Sequence, residues 1–285
     1  MGRLGVVVPR LFRRQQVLKQ ANEMKIKHFL YNCFVIEKDN IKIAIDPGQN
    51  LWLFDLRSLI PKSEWPSISH VLVTHGDPDH YWQADRLAMK ANAPLIMHQT
   101  MVKPTNNGLQ ILAPRRDGIR YVPFGGTVES IDVGESIEVD GIQIKGIKTQ
   151  HGPIEFKICG IQQQKIPGPQ ERAGFGSIGY HFQVGQYSVL NVGDSLLRTE
   201  WADICPDIVM LPIGGLGNNI WTMDVTDALE AVRIIKPSLV IPCHYNVPFL
   251  WNKKFAAAND QFFKREVEKM GISCHIMHSG EEIEI

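Results

Sequence analysis

VLVTHGDPDHYW, Val71 to Trp82, sets the reading of the whole chain. Val71-Leu72-Val73 is an apolar run that reads as a short buried strand. His75, Asp77, Asp79 and His80 follow closely, with Gly76 and Pro78 between them. Glycine and proline break regular structure, so these polar side chains sit on a tight loop at a strand end. In an extended loop His75 and Asp77 project to one side and can reach one ion. Asp79 and His80 are adjacent, point differently and suit a second ion. Imidazole and carboxylate are ordinary ligands for divalent metals. The alternative is a polar turn incidentally rich in histidine and aspartate. The rest of the chain argues against it by supplying partners.

Upstream, KIKHFLYNCFVI (25–36) is aromatic and β-branched and reads as a strand. Glu37 to Asn40 make a turn, and IKIAID (41–46) returns as a second strand ending on Asp46. A carboxylate at that strand end is placed to support a metal ligand, although an aspartate in a turn is equally common. Residues 55–61 read as helix and 69–74 as the strand feeding the loop. Downstream, Tyr81 to Ala93 shows helical spacing and Pro94 to Met97 a short strand. Residues 102–126 form no clear element. The pair Arg115-Arg116 within them could hold a phosphate, although a solvated loop is the simpler reading and is preferred. Strands follow at 127–132 and 135–139, and GIQIKGIKTQH (141–151) is a strand that ends on His151. Residues 160–177 are polar and rich in glycine and proline, and read as a mobile loop over the site. Residues 179–184 and 186–194 form a hairpin ending at Asp194. An apolar strand at 207–215 precedes a helix capped by Asp224, which stops at Pro237. SLVIPCH (238–244) is a buried strand ending on His244. An amphipathic helix at 254–270 and one or two closing strands at 272–285 complete the chain.

The totals exclude several function classes. The 285 residues are 44% hydrophobic, with 30 Lys+Arg against 30 Asp+Glu. No net field favours nucleic acid or an anionic membrane surface, and no apolar run is long enough to span a bilayer. The five cysteines are scattered without a CxxC pair, as expected of reduced thiols in a cytoplasmic protein. Residues 1–23 read as an N-terminal extension outside the fold, and 24–285 as one domain. The expected partner is a small-molecule substrate, with no nucleic acid. Trp65, Trp201, Trp221 and Trp251 are candidates for the core or for a homo-oligomer interface.

Apolar strands thus lead into metal-binding residues at the His75 loop, His151, Asp194 and His244. Ligands at strand ends are how a rigid sheet pre-positions a site. The order His75-Gly76-Asp77-Pro78-Asp79-His80, then His151, then Gly193-Asp194-Ser195, then His244 resembles the metallo-β-lactamase superfamily, over about residues 25–285. LPIGG (211–215) and TMDVTDALEAVRIIKPSLVIPCHYN (222–246) are similar to small metal-dependent hydrolases of the L-ascorbate-6-phosphate lactonase type, and Asp46 fits their pattern too. The resemblance implies an α+β fold, an αββα four-layer sandwich with a dinuclear site at one edge of the two sheets. It implies one ion held by His75, Asp77 and His151, and a second held by Asp79, His80 and His244, with Asp194 bridging. Asp79 and Asp194 are the expected catalytic residues. A hydroxide between two divalent ions would attack a small ester, lactone or phosphoester. Zinc is the expected metal. Ser195, Tyr245 and Asn246 neighbour ligands and are candidates for orienting the substrate. The pocket is expected from 102–126, 160–177 and 213–219, with Arg115, Arg116, Lys165 and Arg172 beside Ile213, Trp221 and Phe175.

Asp77 departs from the superfamily pattern, which has histidine there. The ligand set gains a negative charge, so the ions should be weaker Lewis acids, and manganese or iron becomes an alternative to zinc. The flavodiiron oxygen reductases of the same superfamily also carry a carboxylate at this position. A di-iron oxygen or nitric oxide reductase working with a separate flavoprotein is therefore a second reading. A non-catalytic, metal-stabilised binding module is a third.

Overall fold

A computed structural model describes residues 23–49, 58–158, 161–168, 171–217, 220–248 and 254–285. The described chain opens on β1 (Lys25–His28), β2 (Phe34–Lys38) and β3 (Ile41–Ile45), then β4 (His70–Leu72) and β5 (Leu95–His98). β6 (Val102–Thr105), β7 (Gly108–Arg115) and β8 (Gly118–Phe124) form a small antiparallel sheet of their own. β9 (Val128–Ile131), β10 (Ser136–Val139) and β11 (Ile142–Ile147) precede a ribbon, β12 (Ile154–Ile158) and β13 (Ile161–Lys165). β14 (Gly179–Val184), β15 (Tyr187–Asn191), β16 (Ile208–Pro212) and β17 (Leu239–Cys243) follow. The pair β18 (Val247–Pro248) and β19 (Lys254–Phe255), then β20 (Ser273–Cys274) and β21 (Glu282–Glu284), come last. The described helices are α1 (Pro78–Tyr81), α2 (Ala84–Ala91), α3 (Val225–Ile235) and α4 (Asp260–Lys269).

Two sheets of 7 strands dominate, ordered β21-β1-β2-β3-β4-β5-β9 and β10-β11-β14-β15-β16-β17-β20. Strand alternation explains how they pack. Successive side chains on a strand point to opposite faces. Ile43 and Ile45 of β3 and Leu72 of β4 face the second sheet, where they join Ile208 and Met210 of β16 and Ile241 of β17 in one core. Their neighbours Ala44 and Val71 point the other way, into a core beneath Leu87 and Ala88 of α2. Val209, Leu211 and Val240 do the same from the second sheet, meeting Ala228, Val232 and Ile235 of α3 and Phe263 of α4. Three apolar layers between helix, sheet, sheet and helix make an αββα sandwich. The parallel runs β3-β4-β5 and β15-β16-β17 end toward the same edge, where the ligand loops lie.

Several expectations need correction. The strand expected over 25–36 is interrupted between β1 and β2, where the Phe29 N–H donates to the Cys33 carbonyl and Tyr31 takes a positive φ of 55°. Residues 102–126 are not irregular; they hold β6 to β8. The helix expected over Tyr81–Ala93 is broken at Gln83, in the left-handed region at φ 64°. In the segment 160–177, expected to be a loop, residues up to Lys165 extend β12 as an antiparallel ribbon. The last helix starts only at Asp260, where the Asn259 side chain accepts from the Phe262 N–H. Residues 58–61 are not helical, and 55–57, Cys159, Trp251 and 1–22 lie outside the described residues. Trp65 and Trp201 are core residues. Among the described residues no helix is long and apolar enough to cross a membrane.

Candidate metal centre

The fold brings all the expected ligands to one place. His75, Asp77 and His151 offer donor atoms within 4.8 Å of one another, as do Asp79, His80 and His244, and so do His75, His80 and Asp194. The His75 to His80 loop follows β4 of the first sheet. His151, Asp194 and His244 follow β11, β15 and β17 of the second. Asp194 joins the two triads: its Oδ2 lies 3.7 Å from His151 Nε2, 3.5 Å from His80 Nε2 and 3.2 Å from His244 Nε2. Asp77 Oδ2 lies 3.5 Å from His75 Nε2 and 3.7 Å from His151 Nε2. Asp79 Oδ2 lies 3.5 Å from His244 Nε2. All of these residues except Asp79 are buried.

Whether this set fits cations can be read from what the ring nitrogens do. His151 Nδ1 donates to the Gly152 carbonyl at 2.6 Å, and His80 Nδ1 to Asp46 Oδ2 at 2.7 Å. His75 Nδ1 donates to Thr74 Oγ1 at 3.1 Å, and that hydroxyl donates onward to Asp46. With Nδ1 protonated, Nε2 carries the lone pair that ligates a metal. The Nε2 atoms of His75, His80 and His244, with Asp194 Oδ1, are buried and lack a hydrogen-bond partner among the described residues. Buried polar atoms of native proteins nearly always have partners. Orphaned lone pairs converging with three carboxylates are what a divalent cation satisfies, so the donor set fits.

The electrostatics agree. Burial opposes ionisation of Asp194, yet the imidazoles of His244 and His80 outweigh it and hold the carboxyl far below the usual range. Burial likewise opposes charge on His80, but Asp194, Asp46 and Asp79 raise it well above the ordinary histidine value. Asp77 is also held low: burial is overcome by His75, His151 and the Gly174 N–H. A cluster that stabilises its own carboxylates against burial in this way is poised for cations.

Asp46 bears out its reading as a supporting carboxylate. It is fully buried and accepts bonds from Asn32 Nδ2, Thr74 N, Thr74 Oγ1 and His80 Nδ1. Asn32 is held in turn by Asn191, whose Oδ1 also accepts from the Gly193 N–H next to Asp194. Neither asparagine is evident from the sequence, although an asparagine inside each apolar run was the available signal. Gly174 was missed as well. Its N–H donates to Asp77 Oδ1 at 2.9 Å, and the Phe175 carbonyl accepts from Gly76 N–H, so residues 174–175 strap the ligand loop. A Cβ on Gly174 would lie 2.7 Å from His151 Cγ, and at φ +55° only glycine is unstrained.

The other site candidates divide. A cavity of about 570 Å³ opens over the ligands, lined by Trp221, Ile119, Lys165 and Arg172 among others. Arg115 and Arg116 line a separate hollow, and Arg115 is paired with Asp85 at 2.5 Å. Ile213 is core beneath α3. Phe175 lies on the far side of the strap from that cavity. The Ser195 side chain bonds Gln150 N–H and the Leu196 carbonyl, bracing the Asp194 loop against the His151 strand. Asn246 braces Ala258, and Tyr245 packs against the helical core.

Two sheets sandwiched between helices, with histidines and aspartates converging at one edge, define a class of metal-centre proteins. The chain belongs to the beta-lactamase superfamily domain family, whose model matches residues 25–244. It is 26% identical over 269 residues to a metal-dependent hydrolase of Nanoarchaeum equitans, covering 92% of this chain and 100% of that one. Its fold is that of Igni18, a metallo hydrolase from Ignicoccus hospitalis, with a TM-score of 0.64 at 21% identity over 93% of this chain and 99% of that one. The fold is also shared by CmlA, a diiron β-hydroxylase from Streptomyces venezuelae, with a TM-score of 0.57 at 14% identity over 92% of this chain and 54% of that one.

Proposed function

We propose that the chain is a metal-dependent hydrolase acting on a small ester, lactone or phosphoester. The observation that carries this reading is the convergence of unpartnered Nε2 atoms on Asp194, whose one oxygen faces both triads. His75, Asp77 and His151 would hold one divalent ion, and Asp79, His80 and His244 the other, with Asp194 between. Ions in that place supply Lewis acidity and an acidified water, zinc being the expected metal. The chain's own part is to fix the donors. Asp46 and Gly152 set the tautomers of His80 and His151, the strap at Gly174 orients Asp77, and the cavity admits a substrate of modest size. Asp79 and Asp194 would be the catalytic carboxylates of this centre. The substrate is a small molecule met in the cytoplasm.

Metal analysis of protein purified without added metal, combined with turnover of lactone, ester and phosphodiester substrates, tests this. His151→Ala should lower turnover by orders of magnitude with circular dichroism unchanged. Metal-free protein, or full turnover by the variant, would sink it. Asp77 supports a second reading, because carboxylate oxygen suits iron better than a further imidazole does. Iron at stoichiometric level with reductant-dependent oxygen consumption would select that reading over hydrolysis.

A further inference from the structure

We propose that the apolar wall beside the candidate ligands is a binding site for hydrocarbon, so that the substrate is a carboxylic ester or lactone carrying an alkyl or aryl group. This rests on the hydrolase reading for its chemistry, but its evidence is separate. The cavity of about 570 Å³ lies within the range of small-molecule sites. Asp77, Asp79, His151, Asp194 and His244 line it, and so do Trp221, Phe255, Ile119 and Ile154. The Trp221 and Phe255 rings pack with centroids 4.4 Å apart, making one continuous aromatic surface.

That surface is indexed to the centre. Gly152 N–H donates to the Trp221 carbonyl at 2.8 Å, and Trp221 N–H to the Pro153 carbonyl at 3.0 Å. The same Gly152 takes the His151 Nδ1 proton through its own carbonyl. Trp221 holds a positive φ of 69°, a conformation a bulky residue adopts only when its surroundings impose it. The indole is thus placed at a fixed offset from His151. Its Nε1–H is buried and lacks a partner among the described residues. Buried indole donors ordinarily find an acceptor.

The charges disfavour a phosphorylated substrate. The bases lining the cavity are Lys165 and Arg172, with Glu171 among them, and one Arg172 N–H donates to the Ile119 carbonyl. A phosphate monoester is normally met by a fork of donors, whereas this lining offers two bases with Glu171 beside them among aliphatic and aromatic side chains.

The experiment uses metal-replete protein and two readouts. Calorimetric binding of butanoate, hexanoate and octanoate should tighten about three- to fourfold per added methylene, the factor expected for burying each CH₂. Hydrolysis of γ-lactones with lengthening side chains should rise in kcat/KM along the same series, while phosphorylated sugars are poor substrates. Trp221→Ala should flatten the binding slope. Ile154→Ser, on a different element, should weaken octanoate binding several-fold, and serves if the tryptophan variant does not fold. A flat slope in the parent protein with lactones still hydrolysed overturns the inference and leaves the hydrolase reading standing. A slope in binding with no hydrolysis of any substrate retains the hydrocarbon site and removes the hydrolase reading. Inorganic phosphate binding more tightly than octanoate also overturns it.

Discussion

Asp46→Asn isolates what the buried carboxylate does for the metal centre. Asp46 has φ +46°, and asparagine tolerates that region as readily as aspartate, so the backbone is not perturbed. One oxygen, Oδ2, accepts from Asn32, Thr74 Oγ1 and His80 at 2.6, 2.6 and 2.7 Å. The other, Oδ1, accepts from Thr74 N–H at 2.7 Å. The asparagine oxygen best replaces Oδ2, which turns an NH₂ against the Thr74 N–H. Leaving that donor unmet costs about 1–3 kcal/mol, and demoting three charge-assisted bonds to neutral ones costs about 1 kcal/mol each. The native state should lose roughly 4–6 kcal/mol. The functional cost has another origin. A neutral amide oxygen holds the Nδ1 proton of His80 more weakly, and the tautomer with the proton on Nε2 cannot ligate a metal through that nitrogen. Supporting carboxylates of this kind are worth about 10–100-fold in affinity. Urea unfolding and competition against a chromogenic chelator measure the two effects. A variant within about 1 kcal/mol of the parent, with metal affinity unchanged, would refute the reasoning.

Gly174→Ala should cost about 1–2 kcal/mol from the left-handed backbone alone, and more from the contact with His151; a thermal shift paired with weakened binding of one metal equivalent checks it. Asp77→His should shift the metals taken up from an equimolar zinc, manganese and iron medium toward zinc, read by elemental analysis. If the parent already holds zinc alone, the hard-metal expectation is wrong. His28 is buried and held below the ordinary histidine value of 6.5, chiefly by burial. Its unfolded form therefore binds the proton first. Stability is full above about pH 6.5 and falls as pH drops toward the folded value; His28→Gln should flatten melting temperature against pH between about 7 and 5. Trp201 is fully buried, with its indole N–H on the Lys148 carbonyl, so Trp201→Ala should destabilise by about 3–5 kcal/mol in chemical unfolding.

The candidate ligands were legible because each follows an apolar run at a strand end, a placement that survives in one dimension. Asp46 was legible for the same reason. Asn32 and Asn191 were not, because their meaning is a contact across 159 residues. Gly174 sits in a polar stretch, and only its approach to His151 shows why glycine is required. The β6 to β8 sheet escaped notice because Ile111 to Pro114 of β7 are all buried in succession, which erases the period-two signal. β13 is exposed at every position, so it has no hydrophobic period to read. Asp79 shows the reverse case: it needs space more than pattern. Gly48 lies so close that a Cβ there would stand 1.6 Å from the Asp79 carbonyl oxygen.

The pairing of β21 with β1 has a consequence for synthesis. Lys25 of β1 takes Glu284 as its partner, so the outermost rung of the first sheet joins opposite ends of the described chain. At about 5–20 residues per second, the ribosome needs on the order of ten to fifty seconds to deliver that partner. For that interval β1 has an open edge, and the apolar face carrying Ile26 lacks Met277 from its core. A nascent chain in this condition is a natural client for chaperones that shield strand edges, and refolding from denaturant should be slow and concentration-sensitive.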